Sequence, residues 1–414
     1  RQLLGLRQAP DQRVAPDTMS QRHLSLTPDD VFRIVRDIFV DELARSRPGS
    51  FDADTAGAWT PETGVRDDGI GLDSLERFTL AGRLNETFGL YRSGVEDNLL
   101  RARTLGDTVD VVCAGLDHVD DTLSFYSGGT TGAARVIAHE AADLNAEVAE
   151  LTALFPGRSR VVVTVPVHHI YGFLFGVLLP RALGVPVVDA QYSLLTGQRR
   201  PRNGDLVVSI PFIWERLLPQ TARWGEYVAG SSSTAPLPVD LARELTPRLT
   251  SLVEVYGSSE TGGVGWRDHV TGAGEPFRLM QRWDRRGETA VVRPRGGADS
   301  APVELPDRIR WLDDRHFVPE GRRDAVVQVG GINVDLDELR SRVLSLVPEA
   351  RDCALRLGSE GRLRLFLAAP DPGGLDREAI GDRLRRALPA VALPRSISVG
   401  AGIPRTPTGK LGDW

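Results

Sequence analysis

The chain has 414 residues and a formal net charge of −6, with charges of both signs interspersed. This excludes a basic stripe of the kind that tracks nucleic acid or an anionic membrane surface, and a small-molecule partner is expected. The two cysteines, Cys113 and Cys353, stand far apart with no Cys/His neighbour at metal-ligand spacing. The strongly apolar stretch 170–179 is too short to cross a bilayer, and no charged-then-apolar signal opens the sequence, so the expectation is a soluble cytoplasmic protein in a reducing compartment.

Residues 1–26 are polar without a sustained apolar period and read as a leader or loosely packed extension. Thr27-Pro28-Asp29-Asp30 then supplies an N-cap, a first-turn proline and two acids at the positive end of a helix. Val31, Ile34, Val35, Ile38, Phe39 and Leu43 follow at helical spacing. A loop rich in Gly, Pro and Asp ends at Asp73, the expected cap of a second helix through Phe78, Leu84 and Phe88. A short helix with Val95, Leu99 and Leu100 and another capped by Thr104 complete an all-helical unit, 27–117. From 118 the pattern changes to strands such as 161–165, 187–188, 206–208 and 252–255 separated by helical stretches, the alternation of an α/β layer spanning 118–321. A smaller α+β unit, 322–414, is expected after that: a hairpin through Gly330-Gly331, a helix from about Asp337 to Leu346, and strands around Ala354 and Leu363. A helix near Arg377 to Leu388 and a final strand before Ile403 complete it. The length accommodates these units, since single cores stop growing at about 250 residues.

Four motifs carry chemistry. Ser127-Gly128-Gly129-Thr130-Thr131-Gly132 follows a short strand; its glycines let backbone wrap an anion and its hydroxyls and N–H groups can bind phosphate oxygens, although such clusters are also plain loops. The GK[ST] ending of a Walker A loop is absent. Tyr256-Gly257-Ser258-Ser259-Glu260 leaves the strand ending at Val255 and puts a carboxylate at a strand's carboxyl end, where it is either a solvated loop acid or, with phosphate oxygens, a Mg²⁺ ligand. Pro166-Val167-His168-His169-Ile170-Tyr171-Gly172 has no third ligand for zinc; His168 reads as a buried, satisfied residue, and His169 could gate or line an acid pocket. Pro404-Arg405-Thr406-Pro407-Thr408-Gly409-Lys410-Leu411 presents Lys410 on a loop stiffened by two prolines and a glycine. Of 50 basic residues it is the one lysine, the rest being arginine, which is either chance survival in a charged tail or the mark of a position where a compact, movable ammonium is needed rather than a planar fork.

Taken in order, these motifs resemble those of the adenylate-forming superfamily of acyl-CoA synthetases, nonribosomal-peptide adenylation domains and luciferases. Residues 127–132 look like its TSGSTG loop, 232–236 like SSGAP, 256–260 like YGxTE, 321–324 like GRxD and 404–410 like PRTxxGK, while Leu305-Pro306-Asp307 stands where the family has Thr-Gly-Asp. The likeness covers 118–414 and implies that a carboxylate attacks the α-phosphorus of ATP to give acyl-AMP and pyrophosphate, after which a thiol displaces AMP. It further implies that Ser127, Gly128, Gly129, Thr130, Thr131 and Gly132 hold the departing phosphates, with Arg135 in the motif's lysine position. Ser233, Thr234, Ala235, Pro236, Tyr256 and Ser259 lie beside the nucleotide, Glu260 holds Mg²⁺, and Asp307 and Arg322 hold the ribose hydroxyls. By the same resemblance Lys410 reaches between carboxylate and α-phosphate, and it leaves when the small domain rotates about Asp324. Typical members carry an α/β region of well over a hundred residues before the phosphate loop; here the helical unit 27–117 replaces it, as in a shortened synthetase.

A narrower likeness, carried by residues 166–175, the compact length and Asp73-Ser74-Leu75, is to the 4-coumarate:CoA ligase type associated with photoactive yellow protein. It implies a small aromatic acid of hydroxycinnamate or hydroxybenzoate type, in a pocket with His169, Tyr171 and Gly257. Asp73-Ser74-Leu75 also resembles the 4′-phosphopantetheine site of acyl carrier proteins, in which case Ser74 bears the accepting thiol; the triplet is equally an ordinary N-cap. The acceptor is then CoA or an acyl carrier protein. Two other readings stay open: adenylation of nitrite for diazotisation of an aryl amine, and an inactive carrier-interaction module, against which the retention of Lys410, Glu260 and Asp307 argues.

Overall fold

The structure is a computed structural model and describes residues 23–47, 51, 53–66, 69–126, 135–191, 193–272, 274, 276–294, 301–323, 326–329, 332–358, 361–406 and 411–414. It divides into two compact units. One comprises the described residues up to Phe125 together with Ala138–Ala146, and the other those of Tyr126–Ile137 and Glu147–Trp414.

The first unit is built on three helices that begin alike. α1 (Pro28–Ser46), α2 (Ser74–Phe88) and α3 (Leu105–Leu116) each open with a reciprocal capping box. Asp30 N–H donates to Thr27 Oγ1 at 3.3 Å, Glu76 N–H to Asp73 Oδ1 at 2.8 Å, and Asp107 N–H to Thr104 Oγ1 at 3.0 Å, while each acid accepts the cap's own N–H in return. Two otherwise unpaired N–H groups are satisfied at each start, which is why the chain turns helical at those residues. The apolar stripe of α1, from Val31 to Leu43, meets α2 and α3 around Leu80, Leu84, Phe88, Leu105, Val109 and Val112. Glu76 also anchors the end of α1, since Arg47 donates to it from Nε at 2.6 Å and Ser46 from Oγ at 3.0 Å. The Arg47 guanidinium holds its carboxyl at about 2, far below the ordinary range. The segment through Leu99 is a 3₁₀ turn, Glu96–Arg101, rather than a regular helix.

The reading of residues 1–26 as a loosely packed extension needs correction for its last few residues. Leu24 is buried, its N–H donates to Asp120 O at 2.8 Å, and His23 Nδ1 lies 2.6 Å from Asp120 Oδ1. The unit also runs past 117, because Arg92 grips Asp121 through two nitrogens and Ala141 N–H donates to Asp121 O at 2.7 Å.

Strands β1 (Thr122–Tyr126) and β2 (Val136–Glu140) pair as a ribbon, and helix α4 (Ala141–Leu154) follows. The second unit centres on a nine-stranded sheet. In chain order its parts include β3 (Arg160–Val163), α5 (Ile170–Phe173), a π-helical turn at Leu174–Leu178, α6 (Leu179–Leu183), β4 (Val187–Asp189), β5 (Asp205–Ser209) and α7 (Pro211–Leu217). There follow β6 (Ala229–Ser232), α8 (Val239–Leu245), β7 (Ser251–Ser258), β8 (Gly262–Asp268), β9 (Phe277–Leu279), the small antiparallel sheet of β10 (Asp284–Arg286), β11 (Ala290–Val292) and β12 (Val303–Glu304), then β13 (Asp307–Trp311) and β14 (His316–Arg322). The nine-stranded order is β13-β14-β9-β8-β7-β6-β5-β3-β4. Neighbours from β4 to β7 are parallel; from β7 onward they are antiparallel. β5 is buried along its whole length, as expected of a central parallel strand covered on both faces.

The remaining chain gives the ribbon β15 (Val326–Val329) and β16 (Ile332–Asp335), then α9 (Leu336–Leu346), β17 (Asp352–Leu357), β18 (Leu363–Ala368), α10 (Arg377–Ala387) and β19 (Ser396–Gly400). Val343, Leu363, Leu365, Leu367, Ile380 and Leu384 form its core, with Cys353 buried among them. The thiol of Cys353 is pushed up to about 12 by burial, which marks it as packing rather than reactive. Among the described residues no helix is long and apolar enough to cross a membrane.

Candidate active site

Sheet direction changes at β7, and the candidate residues cluster at its end. Between Tyr256 and Gly257 the β7–β8 register shifts, a bulge that twists the strand where it leaves the parallel half. The Tyr256 ring lies against Phe317 and Phe277, with centroids 5.4 and 5.8 Å away, and its hydroxyl donates to Asp307 Oδ2 at 2.7 Å. Asp307 opens β13 and pairs across it with the backbone of Arg322. The strand ladder thus brings Tyr256, Asp307 and the backbone at 322 together; the Arg322 side chain lies outside the described residues.

The segment 233–237 is fastened to β7 at both ends. Ser233 Oγ donates to Val255 O at 2.8 Å, and Leu237 N–H donates to Glu254 Oε1 at 2.9 Å. Glu254 is buried and also accepts from Arg267 Nε at 2.9 Å and contacts His269 Nε2 at 2.7 Å. Burial pushes its carboxyl up, but His269, Arg267 and the Leu237 N–H together outweigh that and leave it below the ordinary range. Thr234, Ala235 and Pro236 are the exposed residues between the two fastenings. Thr234 has φ +73°, in the left-handed region that a β-branched residue adopts only under strain, and it stands where the SSGAP pattern has glycine.

After β7, Ser258 to Thr261 form a tight turn. Ser258 N–H donates to Thr261 Oγ1 at 3.0 Å, and that hydroxyl donates to Gly262 O at 2.7 Å. Glu260 is the exposed tip, and Arg135 Nη2 approaches Glu260 Oε1 at 3.4 Å. A cation and a carboxylate therefore face one another beside this turn. Among the described residues no group of three or more His, Cys, Asp and Glu gathers for a metal.

At the carboxyl ends of β5 and β6, Tyr171 is buried; its hydroxyl donates to Ser209 O at 3.0 Å and hydrogen-bonds with the Ser231 hydroxyl at 3.0 Å. Burial raises its pKa further above the ordinary phenol value, so the hydroxyl stays protonated. His169 caps α5 without a side-chain hydrogen bond to it, and its ring sits 4.0 Å from that of buried His168, tilted by 42°. The helix these residues begin contains the π-helical turn, and Gly176 within it lies so close to β3 that a Cβ would meet Val167 and Val163 at 3.0–3.2 Å. Such turns recur near functional sites.

The sequence profile of the AMP-binding enzyme family matches residues 108–295. Over 397 residues, 93% of this chain and 99% of the relative, the sequence is 35% identical to a 4-coumarate–CoA ligase of Halorhodospira halophila. The chain belongs to the AMP-binding, adenylate-forming enzyme family. A 4-coumarate–CoA ligase of Rhodobacter capsulatus is 34% identical over 384 residues, 90% of this chain and 97% of that one. In fold, an ATP-bound MatB from Rhodopseudomonas palustris superposes with TM-score 0.56 at 15% identity, covering 92% of this chain and 91% of that one. O-succinylbenzoate coenzyme A synthetase of Bacillus subtilis gives 0.53 at 13%, covering 92% of each. This adenylate-forming enzyme therefore activates an acid with ATP, on an α/β sheet unit followed by a smaller C-terminal α+β unit.

Gly257 of the enzyme does not provide space for a side chain. A Cβ there would lie 2.0 Å from Gly262 O, so glycine is required by the close approach of β7 and β8. Ser74 is exposed at the first position of α2, one residue after its cap, with Leu75 74% and Phe78 68% exposed beside it. Ser127 to Gly132, Asp324 and Lys410 lie outside the described residues. The backbone on either side of Lys410 is tied, since Arg405 and Leu411 bridge and Gly412 N–H donates to Pro404 O at 2.8 Å. Sequence reasoning passed over Glu254, which reads as a plain strand acid. Its one signal was an acid within a run of apolar strand residues, Leu252 to Val255, that is buried throughout.

Proposed function

We propose that the enzyme adenylates a small aromatic acid of hydroxycinnamate type and transfers the acyl group to a thiol of CoA or of a carrier protein. The observation that carries this reading is the match along nine-tenths or more of this chain to two proteins named 4-coumarate–CoA ligases. In the first half-reaction an acid oxygen bonds to the α-phosphorus and pyrophosphate leaves; in the second a thiolate bonds to the acyl carbon and AMP leaves. Ser127 to Gly132 with Arg135 hold the departing phosphates. Asp307, kept in place by the Tyr256 hydroxyl, and Arg322 hold the ribose hydroxyls. The segment from Ser233 to Pro236 with Ser259 flanks the nucleotide. Glu260 is the carboxylate that holds Mg²⁺, which when bound neutralises charge on the phosphate oxygens. Lys410 bridges the negative acid and α-phosphate, and the small unit carries it away about Asp324 before thiol attack. His169 and Tyr171 contribute to the acid pocket, with the Tyr171 hydroxyl orienting Ser231 rather than titrating.

ATP–pyrophosphate exchange tests the reading. Stimulation by 4-hydroxycinnamate or a hydroxybenzoate is expected; stimulation only by an aliphatic acid or only by nitrite overturns it. Ser74 is the candidate attachment point for a carrier arm, on the strength of its exposure at a helix start. Incubation with a phosphopantetheinyl transferase and CoA should add one arm to the intact mass, and none in Ser74→Ala. No mass gain in the parent chain would leave CoA or a separate carrier protein as the acceptor.

A further inference from the structure

The turn that carries Glu260 is gripped from behind by residues outside every motif. Glu147 of α4 is 1% exposed, and its Oε1 accepts the Gly263 N–H at 2.8 Å while its Oε2 pairs with Arg282 Nη1. The Gly263 carbonyl is also taken, by Trp283 Nε1 at 2.8 Å and Arg282 Nη1 at 3.4 Å. Three residues along α4, Glu150 accepts the N–H groups of Gln281 and Arg282 at 2.6 and 2.7 Å, which brings Arg282 up to Glu147.

The two glycines after the turn leave room for this carboxylate. A Cβ on Gly262, at φ +67°, would lie 2.4 Å from Glu147 Oε2, and one on Gly263 would lie 2.6 Å from Oε1. In front, Thr261 is fully buried and closes the turn through Ser258 and Gly262. A buried ion pair seldom stabilises a fold better than apolar side chains of the same volume. Here an apolar pair would leave the Gly263 N–H without an acceptor and the turn without a fixed rear wall.

We infer that Glu147 and Arg282 are positioning residues for adenylation, fixing the turn so that Glu260 is presented at a set height beside Arg135. The inference rests on the reading of Glu260 as the Mg²⁺-holding carboxylate. Burial pushes the Glu147 carboxyl upward while Arg282 and the Gly263 N–H pull it back, so the pair is sensitive to loss of either partner.

The experiment is ATP–pyrophosphate exchange by the full chain against Mg²⁺ concentration, with thermal denaturation of each variant alongside. Glu147→Gln keeps an acceptor for Gly263 but strands the Arg282 charge. The double variant E147Q/R282Q removes the stranded charge. Both should need about tenfold more Mg²⁺ for half-maximal exchange, the scale on which outer partners tune metal sites, with KM for the acid unchanged. The double variant should regain most of the lost Tm without regaining the Mg²⁺ response. A Mg²⁺ response unchanged in folded variants, or recovered together with Tm in the double variant, overturns the inference and leaves a structural pair only. If E147Q does not fold, Arg282→Lys keeps the charge but loses the planar guanidinium whose Nη1 reaches both Glu147 and Gly263 O, and the same shift is expected of it. Glu260→Gln separates the two levels: a shift in E260Q without one in E147Q overturns the positioning role. A shift in E147Q without one in E260Q overturns the metal reading of Glu260 while the grip on the turn stands.

Discussion

The helical unit and the sheet unit solve the same problem, satisfying polar groups out of water, over very different distances along the chain. In the first unit the deciding bonds join residues three apart: Thr27 with Asp30, Asp73 with Glu76, Thr104 with Asp107. In the second they join residues 51 apart, as in Tyr256 with Asp307, or 116 apart, as in Gly263 with Glu147. Local bonds start elements; distant ones hold a site in place. Changes in the sheet unit should therefore register in catalysis and those in the helical unit in stability.

The sharpest departure is expected at Lys410. Lys410→Ala, and also Lys410→Arg, should lower pyrophosphate exchange by about 10²–10³-fold, the scale of removing one preorganised charge-stabilising donor, while ATP binding by equilibrium dialysis persists. Full turnover in the arginine variant would end the argument that a compact cation is required there. Asp307→Asn comes next, with KM for ATP raised about tenfold, as for loss of one charged hydrogen bond, and Tm little changed. A matching fall in Tm would show that the sheet residue acts on the fold after all.

In the helical unit Glu76→Gln should cost about 1–3 kcal/mol at neutral pH. Because Arg47 lowers the folded carboxyl to about 2 from 4.5, its contribution is complete above about 4.5 and is lost as pH falls towards about 2. Urea titrations at several pH values should show parent and variant converging over that window, with exchange activity at neutral pH unaffected. Thr104→Ala should cost about 1 kcal/mol, and the cost should add to that of Thr27→Ala, because each cap is self-contained. In the sheet unit Thr234→Gly should alter KM for ATP, because its segment flanks the nucleotide, while relief of the left-handed strain raises stability by about 1 kcal/mol at most.

This contrast also governs what could be read in advance. The helix starts were legible because Thr27, Asp73 and Thr104 state their role within four residues, and the strands because valine runs of the right length have few other uses. The roles proposed for Glu260 and Asp307 rest on motifs of fixed order, and the one neighbour the sequence did not name is the Tyr256 hydroxyl on Asp307. Glu147 was not: in Ala141–Leu154 it looks like any solvated helix acid, and only a sheet closed 116 residues later buries it. The π-helical turn at Leu174–Leu178 was illegible for a related reason, since its register answers to the packing of Gly176 on β3 and not to its own propensity. The packing at the end of residues 1–26 was not legible because the partner backbone of Leu24, at Asp120, lies far along the chain.

The Glu147–Arg282 pair has a practical corollary for anyone dividing this chain into complementing halves. A break anywhere between the two leaves one fragment with a carboxylate meant for the interior and the other with the guanidinium placed to answer it. Neither half can bury its share alone without a cost of several kcal/mol, so each should stay open and silent until it meets the other. Such a split enzyme should report association with little background signal.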